Sequence, residues 1–190
     1  MAVTVTPTFE TRRFTRLEYE RLVEMAVFQP DERLELIDGL LVVREPQDTP
    51  HATGVRLVVR VLRGVFGEGW IVDSQLPVAL DEYSEPEPDA AVYRRRAVPY
   101  KDADRDASDA LLLIEVAETS LAYDRSTKLR LYASFGVPEY WVVDCAAEAV
   151  EVHRDPASTG YRDVRRIVGA GSVTLQAFPD VVLPLSEIFA

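Results

Sequence analysis

Glu115 is the residue of this sequence whose type and setting most clearly indicate chemistry. It interrupts an otherwise apolar run at positions 111–116, which is typical of a strand covered on both faces. A buried carboxylate without a partner is costly, so a compensating group is expected, and a bound cation is one candidate. The alternatives are a carboxylate at the exposed end of the strand, or one that pairs with an arginine.

Asp89 adds a second carboxylate, held behind Pro88 at the start of a predicted strand. If this strand is adjacent to the strand of Glu115, both carboxylates project from one edge of the sheet. With waters and a phosphate oxygen they would form the oxygen shell that Mg²⁺ prefers. Converging carboxylates also repel each other without metal, so one of them is expected to have a raised pKa. Taken alone, Asp89 has the sequence context of an ordinary turn acid.

Lys128 is the third residue, and its position on a predicted helix is informative. The polar side chains of this helix form one arc, and Lys128 falls outside it, between Tyr132 and Phe135. On the face towards the sheet, its ammonium could orient the attacking water or stabilise the pentacovalent phosphate beside metal-bound carboxylates. Two structural roles are open as alternatives: an ammonium that reaches solvent past an apolar stem, or one that pairs with Asp124.

The elements that must position these residues are predicted from periodicity and turn signals. Thr15 and Glu18 form a capping box for a helix to about Ala26, and Asp38-Gly39 predicts a hairpin. A second helix begins at Thr49 or Pro50 and ends before Gly67, and a third covers about 123–135. Strands are predicted at 70–72, 76–80, 90–93, 111–116, 139–143, 150–153, 161–167 and 173–175. The fold class is therefore α/β, with a mixed sheet flanked by helices.

Length and composition indicate one domain, with residues 1–13 as an N-terminal arm and residues 14–190 as the domain. The 190 residues are 47% hydrophobic and 28% charged, which is ordinary globular composition and enough to bury a core. No apolar stretch reaches the roughly 18 to 20 residues that a membrane span needs, and the start does not resemble a signal peptide. We therefore expect no membrane association and a cytoplasmic location.

The net charge of −11 argues against nucleic-acid binding by overall electrostatics. The charge is uneven, however, and a carboxylate-rich metal site is compatible with a local basic rim. The basic residues are concentrated at Arg12, Arg13 and Arg16, and again at Arg94, Arg95, Arg96, Lys101 and Arg105. A solvated acidic surface that keeps the protein in solution is the alternative for most of these charges.

An ordered set of short motifs covers the chain from about Phe14 to Phe189. The motifs are Glu35-Leu-Ile-Asp-Gly39, His51, Pro88-Asp89, Ile114-Glu115-Val116, Asp124-Arg-Ser-Thr-Lys128 with Tyr132, and Gly136-Val-Pro-Glu-Tyr-Trp141. As a set they resemble the bacterial putative restriction endonuclease family, formerly a domain of unknown function, within the PD-(D/E)XK nuclease superfamily. The resemblance implies the restriction-endonuclease-like fold, a divalent-metal site and hydrolysis of DNA phosphodiester bonds.

By that resemblance Asp89 and Glu115 are metal ligands and Lys128 is the catalytic lysine. The implied cofactor is Mg²⁺, with Mn²⁺ as a substitute, and the implied partner is DNA. One departure is that Ala117 stands where the superfamily usually has a lysine, two residues after the glutamate. The resemblance therefore requires Lys128 to reach the same point in space from the following helix.

Five further residues are candidates near this site. Glu35 is a candidate third metal ligand, although an outward residue of an alternating strand is the alternative. His51 begins the second helix, where a histidine can bind phosphate or metal. The alternative, which we favour, is a structural role. Gln75, Asp124 and Tyr132 are accessory candidates whose alternative roles are packing, ion pairing and hydrogen bonding.

A homodimer is also expected, because cleavage of a duplex requires attack on two strands and one such site attacks one. The C-terminal region offers apolar residues for a partner: Val181, Val182, Leu183 and Leu185.

Two other functions compete with a nuclease. Ala117 and the acidic charge favour a nuclease-like domain that has lost turnover and acts as a nucleic-acid-binding or dimerisation module. A carboxylate pair is also compatible with a glycosidase, which would act without Mg²⁺. No Gly-rich phosphate loop, nucleophile elbow or His/Cys zinc spacing is present in the sequence.

Overall fold

A six-stranded mixed sheet forms the centre of the computed structural model, which describes residues 11–29, 31–44, 49–96 and 105–190. The strand order is β3-β4-β5-β6-β7-β8, and every neighbouring pair is antiparallel except β5 and β6. The sheet strands are β3 Trp70–Asp73, β4 Ala90–Arg94, β5 Ala110–Ala117, β6 Glu139–Asp144, β7 Ala149–Ala157 and β8 Gly160–Val168. The predicted mixed sheet is confirmed.

Helices and two small hairpins cover this sheet. The helices are α1 Arg16–Glu24, α2 Thr49–Val65, α3 Leu121–Tyr123, α4 Leu129–Ser134 and α5 Leu185–Ile188. The hairpins pair β1 Leu34–Ile37 with β2 Leu40–Val43, and β9 Ser172–Leu175 with β10 Phe178–Pro184. Among the described helices, none is both long and apolar enough to cross a bilayer.

Among the described residues, the two larger apolar clusters lie on opposite faces of the sheet, and a third, small one joins α1 to β1. The first joins α2 and α5 to residues such as Ile114 and Val116 of β5. The second joins Tyr132 of α4 to Leu113 and Ala117 of the same strand. Because successive side chains of a strand point to opposite faces, Glu115 shares the α4 face with Leu113 and Ala117.

The local signals at the N-terminal end are confirmed. Thr15 accepts from the Glu18 amide while the Glu18 carboxylate accepts from the Thr15 amide, so both halves of the capping box are present. Asp38 and Gly39 have φ of +51° and +79°, the left-handed values that a two-residue hairpin turn requires. Of the predicted N-terminal arm, residues 1–10 lie outside the described residues.

The predicted strand at 76–80 is wrong. Pro77 interrupts this segment. The backbone of the segment forms isolated hydrogen bonds to the loop before Asp89 instead of a strand ladder. Val78 donates to the Pro86 carbonyl at 2.9 Å and Leu80 to the Ser84 carbonyl at 3.1 Å. The segment therefore braces the loop that leads into Asp89 without entering the sheet.

The third helix also differs from the prediction. It begins at Leu121, two residues earlier than expected, and residues Asp124–Lys128 form one π-helical turn between α3 and α4. A π-helical turn contains an extra residue and is frequent at functional sites. Here it carries both Asp124 and Lys128.

Candidate active site

Asp89 and Glu115 meet at one edge of the sheet, as the adjacency of their strands predicts. The antiparallel register pairs Ala90 with Ile114, which sets Asp89 beside Glu115. Asp89 Oδ2 accepts a hydrogen bond from the Val116 amide at 2.9 Å. The two acids are only 1% and 2% exposed, so Glu115 is not at a solvated strand end.

Asp89 is held as an anion by three side chains around its Oδ1 atom. Arg44 Nη2 donates to it at 2.9 Å, His51 Nε2 lies 3.2 Å away, and Gln75 Nε2 donates at 3.4 Å. Burial alone would raise the Asp89 pKa, but the hydrogen bond from His51 and the charge of Arg44 outweigh it and hold the pKa well below its ordinary value. The structure thus brings His51 and Gln75 to the carboxylate of Asp89, and Gln75 has there the hydrogen-bonding role that was its alternative.

Glu115 is the member of the pair whose pKa is raised. Burial is the largest cause and, with the negative charges of Asp89 and Asp124, raises the pKa of Glu115 to about 8. The positive charge of Lys128 lowers this pKa but only partly offsets the increase. Its Oε1 accepts hydrogen bonds from Lys128 Nζ and the Tyr132 hydroxyl, both at 2.8 Å. The direction is the one predicted for converging carboxylates, but burial contributes more to it than the charge of Asp89 does.

Lys128 projects from the π-helical turn into this cluster. Its side chain is 3% exposed, and Nζ lies 2.8 Å from Glu115 Oε1 and 2.7 Å from Glu35 Oε2. Burial would lower its pKa, but the two carboxylates outweigh burial and raise it, so the side chain is an ammonium. The position on the packing face is confirmed, and an ammonium that reaches solvent past its stem is excluded.

Asp124 lies close to Lys128 in sequence but is held by another partner. Its Oδ2 accepts from the Ser120 hydroxyl at 2.6 Å. Burial raises its pKa to about 6, although the Ser120 hydrogen bond and the charge of Lys128 lower it. Asp124 therefore adds a further buried acid to the cluster.

Glu35 is a buried part of the site, so its interpretation as an outward residue of an alternating strand is wrong. All four residues of β1 are buried, and Glu35 is 1% exposed. Its carboxylate contacts two cations, Lys128 at 2.7 Å and Arg44 Nε at 3.2 Å. Glu35 thus positions the cations on which Asp89 and Glu115 depend.

Arg44 is a central residue of the cluster that the sequence analysis missed. It follows β2, and its guanidinium links Glu35, Asp89 and, through the carbonyl at 2.8 Å, Glu87. Its side chain is 14% exposed. The available signal was an arginine directly after a hairpin whose first strand carries a buried glutamate.

Ala117 is fully enclosed on the α4 face of the sheet, at 1% exposure. Lys128 brings its ammonium from the following helix to the carboxylate of Glu115, on the same face of the sheet. That it replaces the lysine of the superfamily pattern stays a prediction.

An open pocket of about 360 Å³ lies over the cluster. Its described lining includes five acidic side chains, Glu35, Asp89, Glu115, Glu118 and Asp124, and three basic ones, Arg33, Arg44 and Lys128. Two negative charges are thus in excess when all eight side chains are ionised. A divalent cation would balance them.

The donor set fits Mg²⁺ held by two carboxylates. Among the described residues, no three His, Cys, Asp or Glu side chains form a group that could hold a metal by themselves. Mg²⁺ usually keeps several waters and binds through one or two carboxylates together with substrate phosphates, so Asp89 and Glu115 are sufficient. Glu35 contacts Lys128 and Arg44, and its role as a third ligand stays a prediction.

Two surface expectations are corrected. Arg94, Arg95 and Arg96 lie at the far end of β4, roughly 17 Å along the strand from Asp89, so they form no rim around the pocket. Of the four C-terminal apolar residues, Leu183 and Leu185 are 4% and 1% exposed in the core and offer no surface to a partner, whereas Val182 is exposed. The homodimer itself stays a prediction.

The mixed sheet, its helical layers and the carboxylate edge define a nuclease-like α/β domain. The structure is similar to the crystal structure of a putative nuclease belonging to DUF820 from Anabaena variabilis ATCC 29413, with a TM-score of 0.72 and 16% sequence identity. The match covers 93% of this chain and 97% of that one, and at this identity it shows the fold. No curated protein matches the chain.

The sequence also matches the model of the Uma2 family, described as putative restriction endonuclease, over residues 17–186. This match spans most of the 190 residues. The chain belongs to this family, as its motifs predict.

Proposed function

We propose that this chain is a metal-dependent endonuclease that hydrolyses phosphodiester bonds in DNA. The observation that supports it best is the convergence of Asp89, Glu115 and Lys128 in one buried cluster beneath an acidic pocket. Membership of the restriction endonuclease family supports the reaction class. The metal and the DNA substrate are inferred from the chemistry of the site.

Asp89 and Glu115 would hold the metal, Mg²⁺ with Mn²⁺ as a substitute. When bound, the ion supplies a Lewis acid for a phosphoryl oxygen and lowers the pKa of a bound water. Arg44 and His51 keep Asp89 ionised and fixed in orientation. The Tyr132 hydroxyl fixes the orientation of Glu115 through a hydrogen bond, and hydrogen-bonded carboxylates are better oriented ligands.

Lys128 would stabilise charge without taking a proton. Its pKa is raised by the two carboxylates that it faces, so it is an ammonium at neutral pH and lacks the free electron pair of a general base. A buried ammonium beside the scissile phosphate would stabilise the negative charge that develops on the pentacovalent phosphorus, and would orient the attacking water.

The runner-up is a nuclease-like domain without turnover that binds nucleic acid or mediates dimerisation. One observation favours it: Lys128 and Arg44 already form ion pairs with Glu35, Asp89 and Glu115. Such a network holds together without a metal. A homodimer and a cytoplasmic location remain part of our main proposal, and light scattering that shows only monomer would remove the dimer.

Supercoiled plasmid provides the test. Incubation with Mg²⁺ or Mn²⁺ should produce nicked and linear forms, and EDTA should abolish them. Asp89→Asn and Glu115→Gln should be inactive, while Asp180→Asn, an exposed acid on β10, should match wild type. No cleavage with either metal by folded protein would favour the runner-up, and hydrolysis of a glycoside in EDTA would indicate the glycosidase.

A further inference from the structure

An arginine stripe runs along the exposed face of α2. Arg56, Arg60 and Arg63 lie at successive positions of one helical face and are all exposed. At about 1.5 Å of rise per residue they span roughly 10 Å, the axial rise of about three base pairs. We call these three residues the α2 stripe.

The α2 stripe carries positive charge that carboxylates do not neutralise. Arg60 donates to the Glu187 carbonyl at 3.2 Å and Arg63 to the Val72 carbonyl at 3.4 Å, and neither contact removes the guanidinium charge. Within the described parts of the chain none of the three forms an ion pair, whereas eleven other arginines do. In a protein of net charge −11, such a surface attracts an anionic partner locally.

The stripe borders a groove that one residue, Gln75, links to the active site. The groove has a volume of about 610 Å³ and is lined by the three arginines together with Ser74 and Gln75. Gln75 also donates to Asp89 Oδ1 at 3.4 Å. The opposite end of α2 reaches the same carboxylate through His51, 3.2 Å from Asp89 Oδ1.

We propose that the α2 stripe and its groove bind the phosphate backbone of duplex DNA next to the cleaved bond. The inference rests on the proposed function, because DNA is taken as the substrate. Guanidinium groups form charge-assisted, bidentate hydrogen bonds with phosphate oxygens, and three in a row along one helix suit consecutive phosphates. The stripe supplies the positive surface that the acidic pocket itself lacks.

Binding of a fluorescein-labelled duplex of about 20 base pairs, followed by anisotropy in EDTA across a salt series, tests this inference. The variant Arg56→Gln/Arg60→Gln/Arg63→Gln should bind about tenfold or more weakly at 0.1 M salt. The slope of log K against log[salt] should decrease by about 2.7, since each lost phosphate contact removes about 0.9. The matched control is Arg130→Gln/Arg162→Gln/Arg165→Gln, with the same charge change on α4 and on β8, at the other edge of the sheet. It should retain the wild-type slope.

Arg56→Gln alone should lower the slope by about 0.9. Within the described residues Arg56 forms no hydrogen bond or ion pair, so its replacement should leave folding unchanged. Equal slopes for wild type, stripe variant and control would overturn the inference, as expected if the stripe instead binds an acidic protein. Because EDTA prevents metal-dependent cleavage, this outcome is independent of the nuclease proposal. A wild type that cleaves plasmid with unchanged stripe binding would refute only the stripe, and stripe-dependent binding without cleavage would refute only the nuclease.

Discussion

In the metal-free protein the carboxyl group of Glu115 should make the unfolding free energy depend on pH. Replacing Glu115 by glutamine should remove this dependence. In the folded protein the pKa of Glu115 is about 8, against 4.5 for an unperturbed glutamate. Between these two values the folded state holds a proton that the unfolded state has released. Stability in this window therefore falls as pH rises.

The magnitude follows from the two pKa values. One proton changes the unfolding free energy by at most about 1.4 kcal/mol per pH unit. From pH 6 to pH 8 the slope flattens as the folded pKa is approached, which leaves a loss of about 2 kcal/mol for the wild type. For a chain of this size that loss corresponds to a decrease of roughly 4 to 8 °C in Tm.

The assay is a set of urea and thermal unfolding curves in EDTA at pH 6, 7 and 8. The pKa values of Asp124 and His51 are also raised and that of His153 is lowered, but all three residues are present in both proteins. Their contributions to the unfolding free energy therefore largely cancel in the difference between wild type and Glu115→Gln. Asp180→Asn should behave as wild type. Parallel pH profiles for wild type and Glu115→Gln would refute the assignment of the raised pKa to Glu115.

Three further predictions concern the partners of the two carboxylates. Lys128→Ala should slow single-turnover cleavage, measured by quench-flow, by about 10² to 10³-fold. The duplex Kd, measured by anisotropy, should change far less. An unchanged cleavage rate would assign Lys128 a structural role. Arg44→Met should lower the unfolding free energy by about 3 to 5 kcal/mol in urea, because it leaves Asp89 and Glu35 buried without their guanidinium, and Arg44→Lys should recover part of it. Mg²⁺ at roughly 100 times its Kd should stabilise the wild type by about 2.7 kcal/mol in thermal melts, and Asp89→Asn should lose most of that increment.

Asp89→Asn also illustrates how the structure changes an expectation. Two converging carboxylates suggest that neutralising either one relieves repulsion. Arg44 and His51 instead bind Asp89 directly, so its removal should destabilise the metal-free protein. Of these two carboxylates, Glu115 has the raised pKa, so its neutralisation and not that of Asp89 should relieve repulsion.

The positions fixed by local chemistry could be predicted from sequence. The Thr15 and Glu18 capping box, the Asp38-Gly39 turn and the packing-face position of Lys128 each depend on residues a few positions apart. The adjacency of the strands of Asp89 and Glu115 was a hypothesis that the register confirms.

The contacts that sequence reasoning missed lie between distant segments. Arg44 bonds Asp89 across 45 positions, and Glu35 meets Lys128 across 93, so no local pattern shows which charges they pair with. The segment at 76–80 is apolar like a buried strand, yet Pro77 and the hydrogen bonds of the segment to the loop before Asp89 exclude it from the sheet. Leu183 and Leu185 look like surface apolar residues until α5 packs them against α2.

The central claim is that Asp89 and Glu115 hold a divalent metal required for hydrolysis of DNA. It is tested most directly by the single-turnover cleavage rate of a labelled duplex as Mg²⁺ is titrated, for wild type, Asp89→Asn and the control Asp180→Asn. We predict a rate that saturates with Mg²⁺ and vanishes in EDTA for wild type and Asp180→Asn, with Asp89→Asn inactive throughout. Cleavage that persists in EDTA, or an Asp89→Asn rate equal to wild type, would contradict it.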